Sequence, residues 1–111
     1  MQRVWKTITG FYHVCARGIG KQLIFENDAD RWEFLELMRE CCCDARVTIV
    51  AWCLMGDHVD LVLLDYEDEM SAGMQRLLLT YARRFNKRTG RTGHLFRERF
   101  ERRSLDTDWQ G

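Results

Sequence analysis

His58-Val59-Asp60 sets an imidazole and a carboxylate two residues apart inside an otherwise apolar run. On a strand, side chains alternate, so both groups would project from one face about 7 Å apart along it. Neutral imidazole and carboxylate are both ligands for a divalent cation, which makes His58 and Asp60 a candidate metal pair. The pair opens the second of two β-rich runs, residues 47–54 and 59–64, joined by the polar hinge Met55-Gly56-Asp57-His58. Val, Ile, Trp and Leu in short runs punctuated by Gly-Asp predict a hairpin of buried strands.

The elements that would position this hairpin follow from periodicity. Residues 7–15 have strand composition, with Ile8, Tyr12 and Val14 on one face and Gly10 marking a bulge or a close backbone approach. Arg17-Gly18-Ile19-Gly20-Lys21 reads as a glycine-hinged loop with two cations. It lacks the glycine spacing and the Ser/Thr of a phosphate-cradling P-loop. Residues 22–26 fit a short strand or an extended arm. Asp30 followed by Glu33 predicts a capping box. Phe34, Leu37, Met38, Cys41 and Cys42 then form one helical stripe, ending at the Cys41–Cys43 run. After the acidic loop 65–69, Ser71 is the expected cap of a second helix. Its stripe is Met70, Met74, Leu77, Leu78, Tyr81 and Phe85, and Gly90 or Gly93 stops it. Residues 94–100, HLFRERF, alternate well enough for a last strand, with a polar tail beyond. Strand, helix, strand, strand, helix, strand is the order of an α+β, ferredoxin-like βαββαβ sandwich, an antiparallel sheet with both helices on one face. Because much of the hairpin is apolar on both sides, a second subunit is expected to cover the outer face, giving a homodimer.

Composition limits the function classes. The 111 residues are 46% hydrophobic and 31% charged, values typical of a single soluble domain. No apolar run reaches the roughly 18–20 residues of a membrane span and no signal peptide opens the chain, so a cytoplasmic location is expected. Five cysteines, three of them adjacent and none in a CxxC pair, fit neither a disulfide framework nor a zinc knuckle; free thiols are expected. The zero net charge hides an asymmetry: residues 1–75 carry 7 Lys/Arg against 13 Asp/Glu, and residues 76–103 carry 10 against 2. Such a basic stretch suits a polyanion, although a solvated helix face has the same look. Arg83, Arg84, Lys87, Arg88, Arg91, Arg97 and Arg99 are the main candidates for phosphate contacts, with Arg17 and Lys21 secondary. Trp52 and Phe96 are candidate stacking residues where they are exposed and core residues where they are not. His13 and His94 are strand histidines beside the candidate site, or plain sheet residues.

Tyr12-His13-Val14, Arg17-Gly18, Ile24-Phe25, Asp30-Arg31, Phe34-Leu35, Ala51-Trp52-Cys53-Leu54-Met55 and His58-Val59 form a collinear string. It continues through Met74-Gln75-Arg76-Leu77, Tyr81-Ala82, Phe85-Asn86, Gly93-His94-Leu95-Phe96 and Arg99-Phe100. Over roughly residues 11–104 the chain resembles the REP-associated tyrosine transposases, HUH-type enzymes of bacterial insertion sequences. The resemblance implies a ferredoxin-like, usually dimeric DNA strand transferase acting on single-stranded DNA beside a hairpin. It implies Mg²⁺ or Mn²⁺ as cofactor and a tyrosine nucleophile on a later helix. Two departures qualify it. Where the family reads Pro-Asn-His-hydrophobic-His, this chain reads Gly56-Asp57-His58-Val59-Asp60, so Asp60 takes the second histidine's place. None of Tyr12, Tyr66 and Tyr81 matches the nucleophile position; Tyr81 is a weak candidate on an apolar stripe, where packing is its ordinary role. The expectation is a single domain, 1–111, lacking the family's C-terminal tyrosine segment and inactive as a strand transferase. It would be a DNA-binding protein or, alternatively, a truncated remnant serving as a DNA-binding or dimeric module.

Overall fold

Alternation in the β-rich runs and the 3.6-residue stripes resolve into six main elements: β1 (Phe11–Arg17), α1 (Asp28–Asp44), β2 (Thr48–Leu54), β3 (His58–Leu64), α2 (Met70–Thr89) and β4 (Glu101–Ser104). The structure, a computed structural model, describes residues 10–97 and 100–105. The strands form one antiparallel sheet in the order β2-β3-β1-β4, so the two halves of the chain interleave at its centre. Tyr12, Val14 and Ala16 of β1 and Val59, Leu61 and Leu63 of β3 are buried on the face that meets the helices. Against them pack the predicted stripes, Phe34, Leu37, Met38, Cys41 and Cys42 from α1 and Met70, Met74, Leu77, Tyr81 and Phe85 from α2. Phe25, Phe34, Phe85 and Phe96 ring Tyr81 at centroid distances of 5.3–6.4 Å, each favourable by about 0.5–1.5 kcal/mol beyond burial.

Four sequence expectations move. β1 begins at Phe11 and runs to Arg17, and residues 7–9 lie outside the described residues. Helix α1 is capped by Asn27, not Asp30: Asn27 Oδ1 accepts the Asp30 N–H at 3.0 Å, and Asp30 in turn accepts the Glu26 N–H at 2.7 Å. The cap sits three residues earlier than expected, and Asp30, at the third helical position, reaches back past it to the residue before the cap instead of closing a reciprocal box. Ser71 does not cap α2. Buried Asp65, at the end of the hairpin, accepts the N–H groups of Glu69 and Met70, each at 3.0 Å, and Gly90 in the left-handed region closes the helix. Residues 94–97 are not a strand. Leu95 and Phe96 are both buried but pair with no strand as a ladder, and only an isolated bridge joins Phe96 to Gly18. The last strand lies beyond them, in Glu101–Ser104, and residues 98–99 lie outside the described residues.

Two backbone approaches fix the hinge. Gly18 donates its N–H to the Asp57 carbonyl, and a Cβ on Gly18 would meet the Gln22 carbonyl oxygen at 2.1 Å. The extended arm after the 3-10 turn Ile19–Lys21 bonds through the Ile24 N–H to the Gly56 carbonyl. The expected glycine loop therefore clamps the turn that carries His58.

Asp65→Ala removes the acceptor of two backbone donors. The urea midpoint should fall by the equivalent of about 1–3 kcal/mol with an unchanged slope. Ser71→Ala, at an exposed position, should stay within about 0.5 kcal/mol of the parent.

Candidate metal and nucleic-acid face

The sheet face turned away from the helices carries the chemistry. Strand alternation that buries Val59 and Leu61 sends His58 and Asp60 to the opposite side, where the sequence analysis placed them together. His58 Nε2 lies 3.2 Å from Asp60 Oδ2. The neighbouring strand contributes a histidine whose role sequence reasoning left undecided: His13 Nε2 lies 3.0 Å from Asp60 Oδ1. On the other side, His58 Nδ1 is 2.9 Å from Asp57 Oδ1, and this hydrogen bond holds the Asp57 carboxyl below the usual carboxylate range. All four side chains are partly exposed.

These contacts dictate hydrogen positions. A carboxylate only accepts, so His58 donates Nδ1–H to Asp57. In the neutral imidazole Nε2 is then bare and faces Asp60 Oδ2. Two lone pairs at that distance are stabilised by a cation or a proton between them. Neighbouring ligands of an octahedral ion with bonds of about 2.1 Å stand about 3 Å apart, close to the separation found. No group of three or more His, Cys, Asp or Glu among the described residues is arranged to enclose an ion. His58 and Asp60 would therefore supply two protein ligands at most to a hard divalent cation, with water and phosphate oxygens completing the shell, as is usual for Mg²⁺.

Cations flank the pair. Arg17 is exposed and stands opposite His58 in the β1–β3 register, and Arg103 stands opposite His13 in the β1–β4 register. With His13, Cys15, Glu101 and Arg102 they line a depression of about 360 Å³. Burial and the neighbouring Asp60 push the Cys15 thiol upward, so it is a protonated wall group. Arg103 escaped individual notice because its strand was read as a polar tail.

The helix-borne cations divide. Arg83 and Arg97 meet along a second cleft of about 700 Å³, walled by Leu78, Leu79, Phe96 and Phe100 and joined by Arg102. His94 also lines that cleft, away from His58. Arg88 is tied to buried Asp30 and to Glu33, and Arg84 approaches Glu33 at 3.5 Å. Arg91 donates to the carbonyls of Gly93 and His94 and to Asn86, so it braces the loop after α2. Lys87 and Lys21 are exposed; Arg99 lies outside the described residues. Phe96 is largely core, whereas Trp52 is half exposed beside Arg31 and Trp32 at the sheet edge.

Tyr81 is a core residue. It is inaccessible, its hydroxyl donates to the Ile24 carbonyl at 2.6 Å, and burial drives its ionisation upward, the reverse of an activated nucleophile. Tyr12 is buried on the helix side and Tyr66 lies past the far end of β3, so none of the three tyrosines adjoins the His58–Asp60 pair. All five cysteines are free, with Cys15, Cys41 and Cys42 buried.

The family model described as "Transposase IS200 like" matches residues 7–108. Among solved structures, a protein of Deinococcus radiodurans R1 classed as a transposase superposes with a TM-score of 0.70 at 14% identity, covering 99% of this chain and 89% of that one. A REP-associated tyrosine transposase bound to a REP hairpin gives a TM-score of 0.70 at 12% identity over 96% of this chain. This chain spans 62% of that protein's length. At these identities the two structures speak for the fold. No curated protein matches the chain in sequence.

Tyr81→Phe should cost about 1–2 kcal/mol in urea unfolding, by leaving the buried Ile24 carbonyl without its donor. Mn²⁺ affinity should be unchanged, because Tyr81 and His58 lie on opposite sides of the sheet. A large loss of Mn²⁺ binding would contradict this placement.

Proposed function

Since the chain belongs to the IS200-like transposase family, we propose that it binds single-stranded or hairpin DNA across the outer face of its sheet, with a divalent cation held by His58 and Asp60. The observation that carries this reading is His58 Nε2 facing Asp60 Oδ2 at 3.2 Å, with Arg17 opposite His58 and Arg103 opposite His13 in the sheet. Mg²⁺ or Mn²⁺ bound there supplies Lewis-acid polarisation of a phosphate oxygen. The protein's part is positional. Asp57 sets the His58 tautomer, His58 and Asp60 hold the ion, and the two guanidiniums orient the phosphates on either side. Arg83, Arg97 and Arg102 extend the basic surface around the β4 edge. With Tyr12, Tyr66 and Tyr81 away from the pair, the chain's own activity is DNA binding, and a strand-transfer nucleophile has to come from outside these residues.

The homodimer belongs to the same proposal. The outer face of β1 and β3 is mixed, with Phe11, Val62 and Leu64 beyond His13, Arg17, His58 and Asp60, and the large exposed apolar side chains of the sheet are on β2, an edge strand where Val50 and Trp52 are about half exposed. A second copy joined along that edge leaves the His58–Asp60 face open.

A fluorescent DNA hairpin with a single-stranded flank should be retained at low salt, its affinity falling linearly in log–log form as salt rises. Arg17→Ala and Arg103→Ala should each reduce that slope by about 1. After incubation with Mn²⁺ the DNA should leave the protein intact under denaturing conditions; a flat titration or a covalent adduct would each refute part of the reading.

Mn²⁺ titration should show weak binding that is lost in Asp60→Ala and tightened in Asp60→His, since imidazole nitrogen suits Mn²⁺ and restores a two-histidine pair. Calorimetry showing no heat for both the parent and Asp60→His would remove the metal site.

A further inference from the structure

We infer that His13 is a positioning residue for the metal carboxylate: it holds Asp60 so that one oxygen alone is turned toward His58. The inference rests on the metal reading of His58 and Asp60 and adds a residue from a different strand. In the β1–β3 register Cys15 stands opposite Asp60 and His13 opposite Val62, so His13 is the diagonal neighbour of Asp60 on the outer face. An imidazole is long enough to cross that diagonal, and its Nε2 reaches Asp60 Oδ1 at 3.0 Å. The carboxylate accepts, so His13 donates Nε2–H.

The terminal torsion of an aspartate is broad, and an unrestrained carboxylate on a partly open sheet face samples many orientations. The His13 bond restricts that freedom, with the Cys15 thiol as a further partner of the carboxylate, and divides the two oxygens by role: Oδ1 is occupied by the imidazole donor, and Oδ2 is left facing Nε2 of His58 at 3.2 Å. Asp57 performs the matching task for His58 through Nδ1, at 2.9 Å. Each ligand of the pair therefore has its own outer partner, the arrangement by which metal sites fix ligand tautomer and orientation. His13 does this from β1, which ties the site to the central strand pair instead of to the hinge alone. Where the family's pattern has a second histidine, a shorter aspartate gains a fixed orientation from its neighbour.

The test uses Mn²⁺ and the full chain. His13→Val keeps a good strand former but no donor, and His13→Phe makes the same deletion with ring bulk retained. Either should weaken Mn²⁺ by about 10-fold or more, within the range seen for lost outer-shell partners. His13→Gln, which restores an N–H near the same place, should recover most of the loss. Melting in chelator should be the same for all four proteins, and pulsed EPR of the Mn²⁺ complex should report one coordinated imidazole in parent and His13→Val alike. Mn²⁺ binding by the parent that is indifferent to His13 overturns this inference and leaves the metal pair standing. Two coordinated imidazoles in the parent also overturn it, making His13 a ligand. Absence of Mn²⁺ binding in the parent overturns both the inference and the reading beneath it.

Discussion

The pairing of β1 with β3 is the constraint on which the molecule depends. Seven residues of each strand stand opposite one another, from Phe11 against Leu64 to Arg17 against His58, at the centre of the sheet. Strict alternation then sorts the two segments in one step. Tyr12, Val14, Ala16, Val59, Leu61 and Leu63 go to the helices, and His13, Cys15, Arg17, His58 and Asp60 go to the open face together with Phe11, Val62 and Leu64. A slip of one residue would put Asp60 into the aromatic core and Leu61 into water, so burial fixes the register and the register builds the site. The same apolar contacts that hold the fold together thus set the spacing of His58 and Asp60.

The net charge of the chain conceals how its cations are used. The acidic first part and the basic second part are separate along the sequence, but the fold brings them into contact across the helix pair. Arg88 reaches Asp30 and Glu33, Arg84 approaches Glu33, and Arg76 pairs with Asp44 at 2.7 Å. These bridges are partly exposed and individually worth little, apart from the one to buried Asp30, whose carboxylate needs a partner. Several arginines are thereby committed to helix packing. What remains for an anion is Arg17 and Arg103 beside His13 on the open face, with Arg83 and Arg97 along the cleft at β4, where Arg102 approaches Asp68 at 3.5 Å.

Local patterns carried much of the fold in the sequence, and tertiary partners carried what was missed. The stripes from Phe34 to Cys42 and from Met70 to Phe85 repeat at 3.6 residues, and 47–54 with 59–64 reads as a hairpin at any distance from its neighbours. Strand β4 has no such signature. Glu101-Arg102-Arg103-Ser104 is exposed throughout and finds its place by pairing with β1, with Arg102 over the Tyr12 ring at 5.3 Å. The caps were displaced for a related reason. Asp65 reaches forward from the hairpin to the α2 donors, and nothing in the local sequence ranks it above Ser71. At the site, His58 and Asp60 were legible because they share a strand. The contact from His13 to Asp60 spans 47 positions and exists only once the β1–β3 register is known.

Comparison of three carboxylates shows how Asp60 differs from the other two. Asp65 is buried and accepts two backbone N–H groups at a helix start, where the helix dipole also favours its charge. Asp30 is equally buried, accepts the Glu26 N–H and is neutralised by Arg88. Both have fixed donors on their oxygens, so a further ion has no place on them. Asp60 has neither a backbone donor nor a guanidinium among its described contacts; its partners are two imidazoles and the neighbouring Cys15 thiol. One imidazole is held by Asp57 through Nδ1, with its Nε2 turned toward Asp60 on a partly open face. A group buried for stability is fully paired within the fold, whereas Asp60 is paired on one side and left open on the other, the side that faces His58 and the flanking arginines.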